Sequence, residues 1–579
     1  MTGGYIMKEK NIQELAIRMG LISVEDMCQY TIAQLVVKIA NKVNELVGEV
    51  WRFETDVQEM LKTQNENIQY LLGEGLHLEV ENIFDGWVQD GTFDTLLNQS
   101  ALKKVNDRID ETNAQLSSVA LDVLERAKIV NSDVFTITND IYIPKRTLNT
   151  SFLFDGKDDI KIDSANGGKL KATTKENSTD EVQPFRFKNS NNIAISNVTI
   201  EGLEGEFGSP ESLILIENCS NVRINNLKFI TRGGYTLILK NCSNVVIDGC
   251  DFNKGSVWIV GGNNIKIINN TFKNTYYDCV KGMCHNLQII GNSFYGSGQD
   301  AIDTYYNGQN IIIADNYIEN CGVIAIQIKN VLRDSCGGSG SSDVDGYDNR
   351  IIVTNNIIKD SPYGISVKLD DLRVNPQNDI QDMPKLINIH NNFIENCERA
   401  IYGKHVKCVS VNNNHIMSSG ERGIMFAESF SNVSIQHNIL EECNDGVYLV
   451  PSSTTLAKDV VICGNILNLT KNVNITYRGT DGVINNNQVN DGINGIHILY
   501  PDGVICSGNV VRNLTGVGFR LTNNFEGSVL TNNITKSCAT SYHFKGNFIN
   551  SIIMGNCGEV IVDEMNTTTG LINVNNIFN

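Results

Sequence analysis

Hydrophobic and polar residues alternate with a period of two over most of the chain after residue 130, in short runs that end at an asparagine. The run SNVVIDGCDF from Ser243 recurs, with changes, as NNIKIINNTF from Asn263, HNLQIIGNSF from His285 and QNIIIADNYI from Gln309. The asparagines that end such runs are Asn270, Asn292, Asn316, Asn356, Asn392, Asn414, Asn438, Asn465, Asn487, Asn509, Asn533, Asn556 and Asn576. Many of them are about 22 residues apart, which indicates a repeat protein.

Each repeat contains two alternating segments, which predicts two short β-strands per repeat. In NIKII, Ile265 and Ile267 face one side and Lys266 faces the other. The second strand follows glycine or alanine, as in GISVKL from Gly364 and GVYLVP from Gly446. This pattern predicts a parallel β-helix with asparagine at its turns, because asparagine tolerates left-handed backbone angles and its stacked side chains bond to one another. An α-solenoid conflicts with the period of two, and the repeat is too short for a four-stranded propeller blade.

A heptad period occupies the N-terminal part of the chain. Residues that are mostly apolar recur alternately four and three positions apart along one seam, in which only Gln64 and Asn67 are polar. The seam consists of Ile32, Val36, Ile39, Val43, Leu46, Val50, Phe53, Val57, Met60, Gln64, Asn67 and Leu71. The seam predicts a coiled coil, and its Ile and Val residues favour three helices over two. One long helix packed on a globular neighbour is the alternative interpretation.

The two periods divide the chain into segments. Gly73 and Gly75 end the first coil, and at Val130 the period changes to two while asparagine and glycine become more frequent. The predicted segments are a helical head at 1–31, a coiled coil at 32–72, a collar at 73–100, a second short coiled coil at 101–130 and the β-helix at 131–579.

The amino-acid composition of the chain restricts the kinds of partner that it can bind. The chain has 47 basic and 66 acidic residues, a net charge of -19 and a pI near 4.9. This charge argues against nucleic acid or an anionic membrane surface as the main partner. The sequence contains no apolar run long enough to span a bilayer and no hydrophobic signal at its start, so we expect cytoplasmic folding and no membrane insertion.

The cysteines are expected to be structural. The chain has fifteen, without pairs at zinc-like spacing, so we expect no metal centre and no cofactor. Five of them follow a strand at equivalent repeat positions, four in the motifs ENC or KNC and one in EEC, and are predicted to form one column of small buried side chains. They are Cys219, Cys242, Cys321, Cys397 and Cys443.

Alignment of the second strands predicts which residues share a column on the outer surface. The first outward column is predicted to contain Lys281, Asp303, Gln327, Ser366, Tyr402, Met425 and Tyr448. The next outward column contains Met283, Tyr305, Lys329, Lys368, Lys404, Ala427 and Val450. The turn before these strands carries Asp278, Asp300, Arg399, Arg422 and Asp445. This face is richer in charge and tyrosine than the rest of the repeat.

Three aspartates on this face suit acid–base chemistry. Successive turns of a β-helix, called rungs below, lie about 4.8 Å apart, so Asp278 and Asp300 are predicted neighbours. Such closeness raises the pKa of one carboxyl, which then acts as a general acid beside an ionised partner. Asp300 and Asp303 are the predicted acid–base pair, at the wider separation of inverting glycosidases, and Asp278 modulates them.

Substrate contacts are predicted from the same columns. Lys281, Lys329, Lys368 and Lys404 suit an anionic polymer, and Tyr305, Tyr402 and Tyr448 suit stacking on sugars. The alternative interpretation is that these residues bind no substrate and only form the solvated face of an acidic repeat protein.

Two insertions interrupt the repeat beside this face. They lie near 331–349 and 369–385, directly after the strands that carry Lys329 and Lys368. Insertions in solenoids form loops on one face, often the binding face, so we expect a lid or wall here.

The combination of a helical stalk and a parallel β-helix resembles bacteriophage tailspikes, and in particular the preneck appendages of small tailed phages of Gram-positive bacteria. The segment FDGWVQDGTFDTLLNQSALKKVNDRIDE resembles such tail proteins most closely. The resemblance implies a right-handed, pectate-lyase-like β-helix and a homotrimer held on virion neck or tail proteins by its N-terminal helices. It also implies binding, and often cleavage, of a surface glycopolymer such as teichoic acid or capsule at the host cell.

The rungs YYDCVKG, QDAIDT and AIQIKN also resemble polygalacturonase-type β-helices, which implies roles for Asp278, Asp300 and Lys329. The Gly-His-Gly motif of that family is absent. The first hypothesis is therefore a spike that hydrolyses a glycopolymer. A non-catalytic receptor-binding spike and a polysaccharide lyase are the alternatives.

Overall fold

A computed structural model describes residues 152–578 and three short strands before them. Within 152–578 the described residues exclude 165–168, 172, 175–180, 183, 203–211, 232–233, 306–307, 331–348, 371–382 and 454–456. The predicted head, coiled coils and collar at 1–130 lie outside the described residues, as do most of the two insertions.

The described chain is built from strands, and it contains no helix. Strands β1–β16 are Phe135–Thr136, Ile141–Tyr142, Thr147–Leu148, Phe152–Asp155, Asp158–Asp163, Lys169–Lys171, Thr173–Thr174, Glu181–Val182, Phe185–Lys188, Asn191–Ser196, Thr199–Glu201, Ile214–Glu217, Ser220–Asn225, Lys228–Ile230, Tyr235–Asp248 and Asp251–Asn253. Strands β17–β33 are Ser256–Ile268, Thr271–Lys273, Val280–Ile290, Ser293–Tyr295, Ile302–Thr304, Ile311–Ala314, Tyr317–Glu319, Ile324–Asn330, Ile351–Thr354, Ile357–Lys359, Tyr363–Leu369, Lys385–His390, Phe393–Glu395, Arg399–Asn412, His415–Met417, Arg422–Gln436 and Ile439–Glu441. Strands β34–β49 are Asp445–Pro451, Ala457–Cys463, Ile466–Asn485, Gln488–Asp502, Ile505–Ser507, Val510–Leu514, Val517–Thr522, Phe525–Glu526, Val529–Thr531, Ile534–Lys536, Thr540–Ile549, Ile552–Met554, Cys557–Gly558, Ile561–Thr569, Ile572–Val574 and Ile577–Phe578.

These strands form the predicted parallel β-helix. Forty-seven of them join one sheet, and β7 and β8 form a separate antiparallel pair. Each rung pairs in parallel with the next, as where Val245 pairs with Ile265 and Ile265 with Leu287. Ile265 and Ile267 are fully buried, as the alternation predicts, whereas Lys266 between them is partly exposed. The core is therefore a stack of aliphatic and aromatic side chains inside the helix.

Each rung has three faces rather than the two predicted strands. Ile265–Ile268 on the first face pairs with Leu287–Ile290, and Val257–Val260 on the third face pairs with Val280–Met283. Between them, the three-residue strand β18 forms a second face and pairs with β20. Segments such as TFK are too short to show alternation, which is why the sequence pattern did not reveal this face.

The repeat asparagines form a buried ladder inside the bend between the first and second faces. Nδ2 of Asn392 donates to Oδ1 of Asn414 at 3.0 Å, and the same oxygen accepts the backbone N–H of Asn392 at 3.0 Å. The same two hydrogen bonds join each repeat asparagine to the next one along the chain, from Asn270 to Asn576. The left-handed backbone falls on the preceding residue, for example Asn391 at φ 57° and Asn413 at φ 54°. The two roles predicted for one asparagine are thus divided between two neighbours.

The five repeat cysteines are buried, but they form two columns rather than the one predicted. Cys219 follows the third-face strand β12 and Cys242 lies within β15, and the adjacent Ser220 and Ser243 pair in register. In contrast, Cys321, like Cys397 and Cys443, follows a short second-face strand. The motif ENC occurs at both bends, so the motif alone did not distinguish them. All cysteines in the described part of the chain are free thiols.

Candidate active site

The third face carries the predicted outward column in the predicted order. Backbone register pairs Lys281 with Asp303, Asp303 with Gln327, and so on along the column to Tyr448. The column does not face open solvent as expected, however, since Asp303, Gln327 and Ser366 are each 1% exposed. Their neighbours cover them: two lysines contact Asp303, and Nε2 of Gln327 donates to Oγ of Ser366 at 3.3 Å.

Three carboxylates meet at the start of this column. Asp278 and Asp300 precede third-face strands on successive rungs, and Asp303 lies on the strand that follows Asp300. One oxygen of each lies within 4.8 Å of the others. The backbone N–H of Asp300 donates to Oδ1 of Asp278 at 3.1 Å, which ties the two rungs together. The oxygens are closer than the separation of about 6.5–9.5 Å in inverting glycosidases, so the expected wider spacing is not observed.

Two lysines bind these carboxylates. Nζ of Lys281 lies 3.0 Å from Oδ2 of Asp278 and 3.2 Å from Oδ2 of Asp303. Nζ of Lys329 lies 3.2 Å from the same Asp303 oxygen. The other oxygen of Asp303 is buried and has no hydrogen-bond partner among the described residues. Three carboxylates and two ammonium groups have a formal charge of -1, and the cluster becomes neutral when one carboxyl binds a proton.

Burial and mutual repulsion place that proton on Asp300. Burial, then the charges of Asp278 and Asp303, raise the pKa of Asp300 to about 7 against the opposing charge of Lys329. Burial also raises the pKa of Asp303, although Lys329 and Lys281 work against it. Burial acts to lower the pKa of Lys281, but Asp278 and Asp303 outweigh it, so the net pKa of this lysine is raised. One carboxyl is thus poised to exchange a proton near neutral pH beside fixed positive charges.

Aromatic side chains adjoin the cluster, and two of them were not predicted. Tyr305, a predicted residue, accepts a 2.8 Å hydrogen bond from Nε1 of Trp258, and Nζ of Lys281 lies 5.2 Å from its ring centre. Tyr235 donates to Oδ2 of Asp278 at 3.3 Å, and its ring lies 5.0 Å from that of Trp258. Extending the outward column one rung back from Lys281 reaches Trp258, so the signal was present. For Tyr235, a register shift beside it obscured the alignment.

The remaining predicted residues lie on later rungs. Lys329 pairs in register with Lys368, and Lys368 with Lys404, so the three lysines form a row that leads away from the carboxylates. Lys368 contacts Asp370 at 3.4 Å. Beside this row, the guanidinium of Arg399 lies 5.4 Å from the ring centre of Tyr402.

The first insertion leaves the third face directly beyond the cluster. Strand β24 ends at Asn330, and Asn349 lies buried where the chain returns. The two asparagine side chains exchange hydrogen bonds of 3.0 and 3.3 Å. These bonds fix the base of the insertion one residue from Lys329.

A group of three carboxylate oxygens is also a donor set that suits a hard cation. In this cluster, however, the ammonium groups of Lys281 and Lys329 already contact Asp278 and Asp303. Their charge opposes a cation at the same oxygens. We therefore interpret the cluster as an ion-pair network around a protonatable carboxyl.

The fold and this site define a parallel β-helix protein with a buried acidic cluster on one face. The family model described as "Right handed beta helix region" matches residues 212–378, which include the cluster. Similar solved structures include phage tailspikes. One is the receptor-binding protein of bacteriophage Det7, a podoviral tailspike in a myovirus, at 11% identity and TM-score 0.40, covering 59% of this chain and 74% of that chain.

Another is a mutant tailspike of E. coli bacteriophage HK620 in complex with a pentasaccharide, at 12% identity and TM-score 0.40, covering 70% of this chain and 74% of that chain. No curated protein matches the chain by sequence. At these identities and TM-scores, neither structure assigns a function to the chain. In the described residues, no helix is long and apolar enough to cross a membrane.

Proposed function

We propose that this chain is a bacteriophage tailspike or appendage protein that binds and hydrolyses a bacterial surface glycopolymer, a teichoic acid or a capsular polysaccharide, during host adsorption. The predicted trimeric coiled coil followed by a parallel β-helix supports the virion attachment. The acidic cluster supports the hydrolysis, and the observation that carries it is the carboxyl of Asp300, with a pKa of about 7 between two other carboxylates.

In this proposal, Asp300 is the general acid. It retains 8% exposure, whereas Asp278 and Asp303 are each 1% exposed, so it is the most accessible of the three. Near neutral pH its protonated form donates to the oxygen of the leaving group. Asp303 attacks the sugar carbon as the nucleophile of a retaining mechanism, because an oxygen of Asp303 lies within 4.8 Å of one of Asp300 and this spacing is too short for the attacking water of an inverting enzyme. Water then hydrolyses the glycosyl ester and gives its proton to the ionised Asp300, which restores both carboxyls, and Asp278 sets the charge at Asp300.

The lysines and tyrosines hold the polymer in this proposal. Side chains of Lys281 and Lys329 are 24% and 22% exposed, so they are more accessible than the carboxylates beneath them. Tyr305 adjoins them, and Lys368, Lys404 and Tyr402 extend the surface over the next two rungs. Asp278 and Asp303 raise the pKa of Lys281, so this lysine is protonated and is a poor base. A lyase mechanism that uses Lys281 as its base is therefore disfavoured.

A non-catalytic receptor-binding spike is the second candidate, and the burial of Asp303 favours it. Both lysines contact one oxygen of this residue, and a fully covered carboxylate stabilises a binding surface without reaching a substrate. The two candidates differ in whether the bound polymer is cleaved.

Product analysis with the purified full chain separates these functions. Host-wall teichoic acid and capsule are incubated with the parent protein, and products are identified by mass spectrometry. Hydrolysis is expected, and Asp300→Asn and Asp303→Asn should abolish it while polymer binding is retained. Asp502→Asn, at an exposed acid, serves as the matched control. Binding without products supports the receptor-binding spike, unsaturated products indicate a lyase, and full activity in both variants refutes the assigned site.

The proposed assembly is tested separately. Light scattering of the full chain should give a homotrimer, and labelling of virions should locate the protein at the neck or tail, acting at the host surface. A monomer would contradict the coiled-coil interpretation without affecting the test of the site.

A further inference from the structure

The third face carries a second group of charged side chains, far from the acidic cluster. Register continues from Tyr448 through Thr476 to His497, Arg520 and His543. His497 is seven rungs beyond Asp303, along the path Asp303, Gln327, Ser366, Tyr402, Met425, Tyr448, Thr476 and His497. At about 4.8 Å per rung the two groups are roughly 34 Å apart.

We propose that Arg478, His497 and Arg520 form an oxyanion-binding site that takes a phosphate or carboxylate group of a ligand. The three residues lie on three successive rungs, with His497 on the middle one. Arg478 is two residues beyond Thr476 on its strand, so both side chains leave the same side of the strand. The site is thus a basic strip on the third face, centred on His497.

Unpaired donors carry this inference. Nε of Arg478 and Nε of Arg520 are buried, and neither has a hydrogen-bond partner among the described residues. Nε of an arginine always carries a hydrogen, so each of these atoms requires an acceptor. Nε2 of His497 is also buried and unpaired, on a residue that is only 7% exposed. Three such nitrogens on adjacent rungs suit a ligand that only accepts hydrogen bonds.

The charges around the strip favour an anion. Further along the column that holds Arg478, Glu564 lies 3.1 Å from Nζ of Lys545 and 3.7 Å from Nε2 of His543. Lys545 therefore balances Glu564, while Arg478 and Arg520 form no ion pair among the described residues. Burial, and then the charges of Arg520 and His543, lower the pKa of His497 to about 3. The imidazole is accordingly neutral and offers one N–H, while the arginines supply the charge.

The ligand class follows from these donors. Phosphate and carboxylate groups accept several hydrogen bonds and carry negative charge that the two arginines balance, whereas a neutral sugar hydroxyl leaves the arginine charge unbalanced. The site does not depend on the proposed hydrolysis, since no residue of the acidic cluster belongs to it. Loss of cleavage would leave this inference unchanged.

Calorimetry on the purified full chain tests the site. Inorganic phosphate and acetate are titrated separately at pH 7 and constant ionic strength, with chloride as the background anion. Saturable binding of one anion per chain is expected, and Arg520→Gln should weaken it at least tenfold. Arg512→Gln, at an exposed arginine of β39, is the matched control and should bind as the parent does. Tighter phosphate binding indicates a phosphate-bearing ligand, and tighter acetate binding a carboxylate-bearing one.

Two further measurements keep the test decisive. If Arg520→Gln does not fold, His497→Gln replaces it and should also weaken binding, since it removes the central imidazole. Crystals soaked in selenate should show an anomalous peak beside His497 and Arg520. No saturable binding of either anion in the parent, or equal binding by Arg520→Gln and Arg512→Gln, would mean that water alone satisfies these nitrogens, and the proposal would be wrong.

Discussion

Replacing Asp300 by asparagine should stabilise the protein at alkaline pH, because the carboxylate is held where its charge is unfavourable. Oδ1 of Asp300 accepts the backbone N–H of Ile324 at 3.0 Å, and the amide oxygen of asparagine can keep this bond. The change therefore removes the charge beside Asp278 and Asp303 while preserving the shape and the acceptor. Stability, rather than activity, then reports the electrostatics of the cluster directly.

The magnitude follows from the pKa of Asp300. Folding raises this pKa from 3.8 to about 7, and each unit corresponds to about 1.4 kcal/mol. The folded state therefore holds the proton more tightly than the unfolded state does. The resulting stability is fully present below pH 3.8 and is lost as the pH rises through about 7. The full loss is about 4 kcal/mol, and structural relaxation around the charged carboxylate reduces the expected gain of Asp300→Asn at pH 8 to about 2–4 kcal/mol.

Thermal unfolding of the parent and Asp300→Asn between pH 4 and 8 measures this effect. The two proteins should have similar midpoints at pH 4, and the variant should become progressively more stable as the pH increases. Asp502→Asn, at an exposed carboxylate, should follow the parent at every pH. Parallel curves for the parent and Asp300→Asn, or a variant that is less stable at pH 8, would refute the assignment of the shared proton to Asp300.

Two further predictions concern the cation beside the cluster and the asparagine ladder. Lys329→Met removes a charge that lowers the pKa of Asp300. In this variant, the pH range over which folding stability is lost should therefore lie higher than in the parent. Lys368→Met, on the next rung, should lose stability over the same pH range as the parent. Asn414→Ala leaves buried ladder groups unpaired and should cost about 3 kcal/mol in denaturant unfolding. Asn524→Ala, at an exposed asparagine, should cost less than about 0.5 kcal/mol, and equal losses would contradict the role of the ladder.

The sequence predicted the parallel β-helix and the outward column because both depend on local periods. Alternation sets which side chains point inward, and the repeat length sets which residues become neighbours. Thus Lys281 and Asp303, 22 positions apart, lie side by side as predicted. The three-residue second-face strands were not predicted, since a strand such as Thr271–Lys273 shows only one inward residue.

The burial of the site could not be predicted from these periods. Alternation places Asp303 on the outer surface, yet Lys281 and Lys329 close over it from the neighbouring rungs. That closure depends on side-chain length and on charge attraction between rungs, which the pattern of one strand does not contain. Tyr235, whose hydroxyl reaches Asp278 from an earlier rung, was missed because the register shift beside it breaks the alignment of the columns.

The acidic cluster conflicts with the stability of the rungs that hold it, and this conflict is an argument for function. A neutral residue at Asp300 would avoid the cost of the buried charge while keeping the bond to Ile324. The neighbouring bends are held by the asparagine ladder through Asn292 and Asn316, so the backbone there is fixed independently of the carboxylates. A rigid scaffold allows like charges to remain close instead of moving apart. Structural requirements of the β-helix explain the ladder, but they do not explain three aspartates within 4.8 Å.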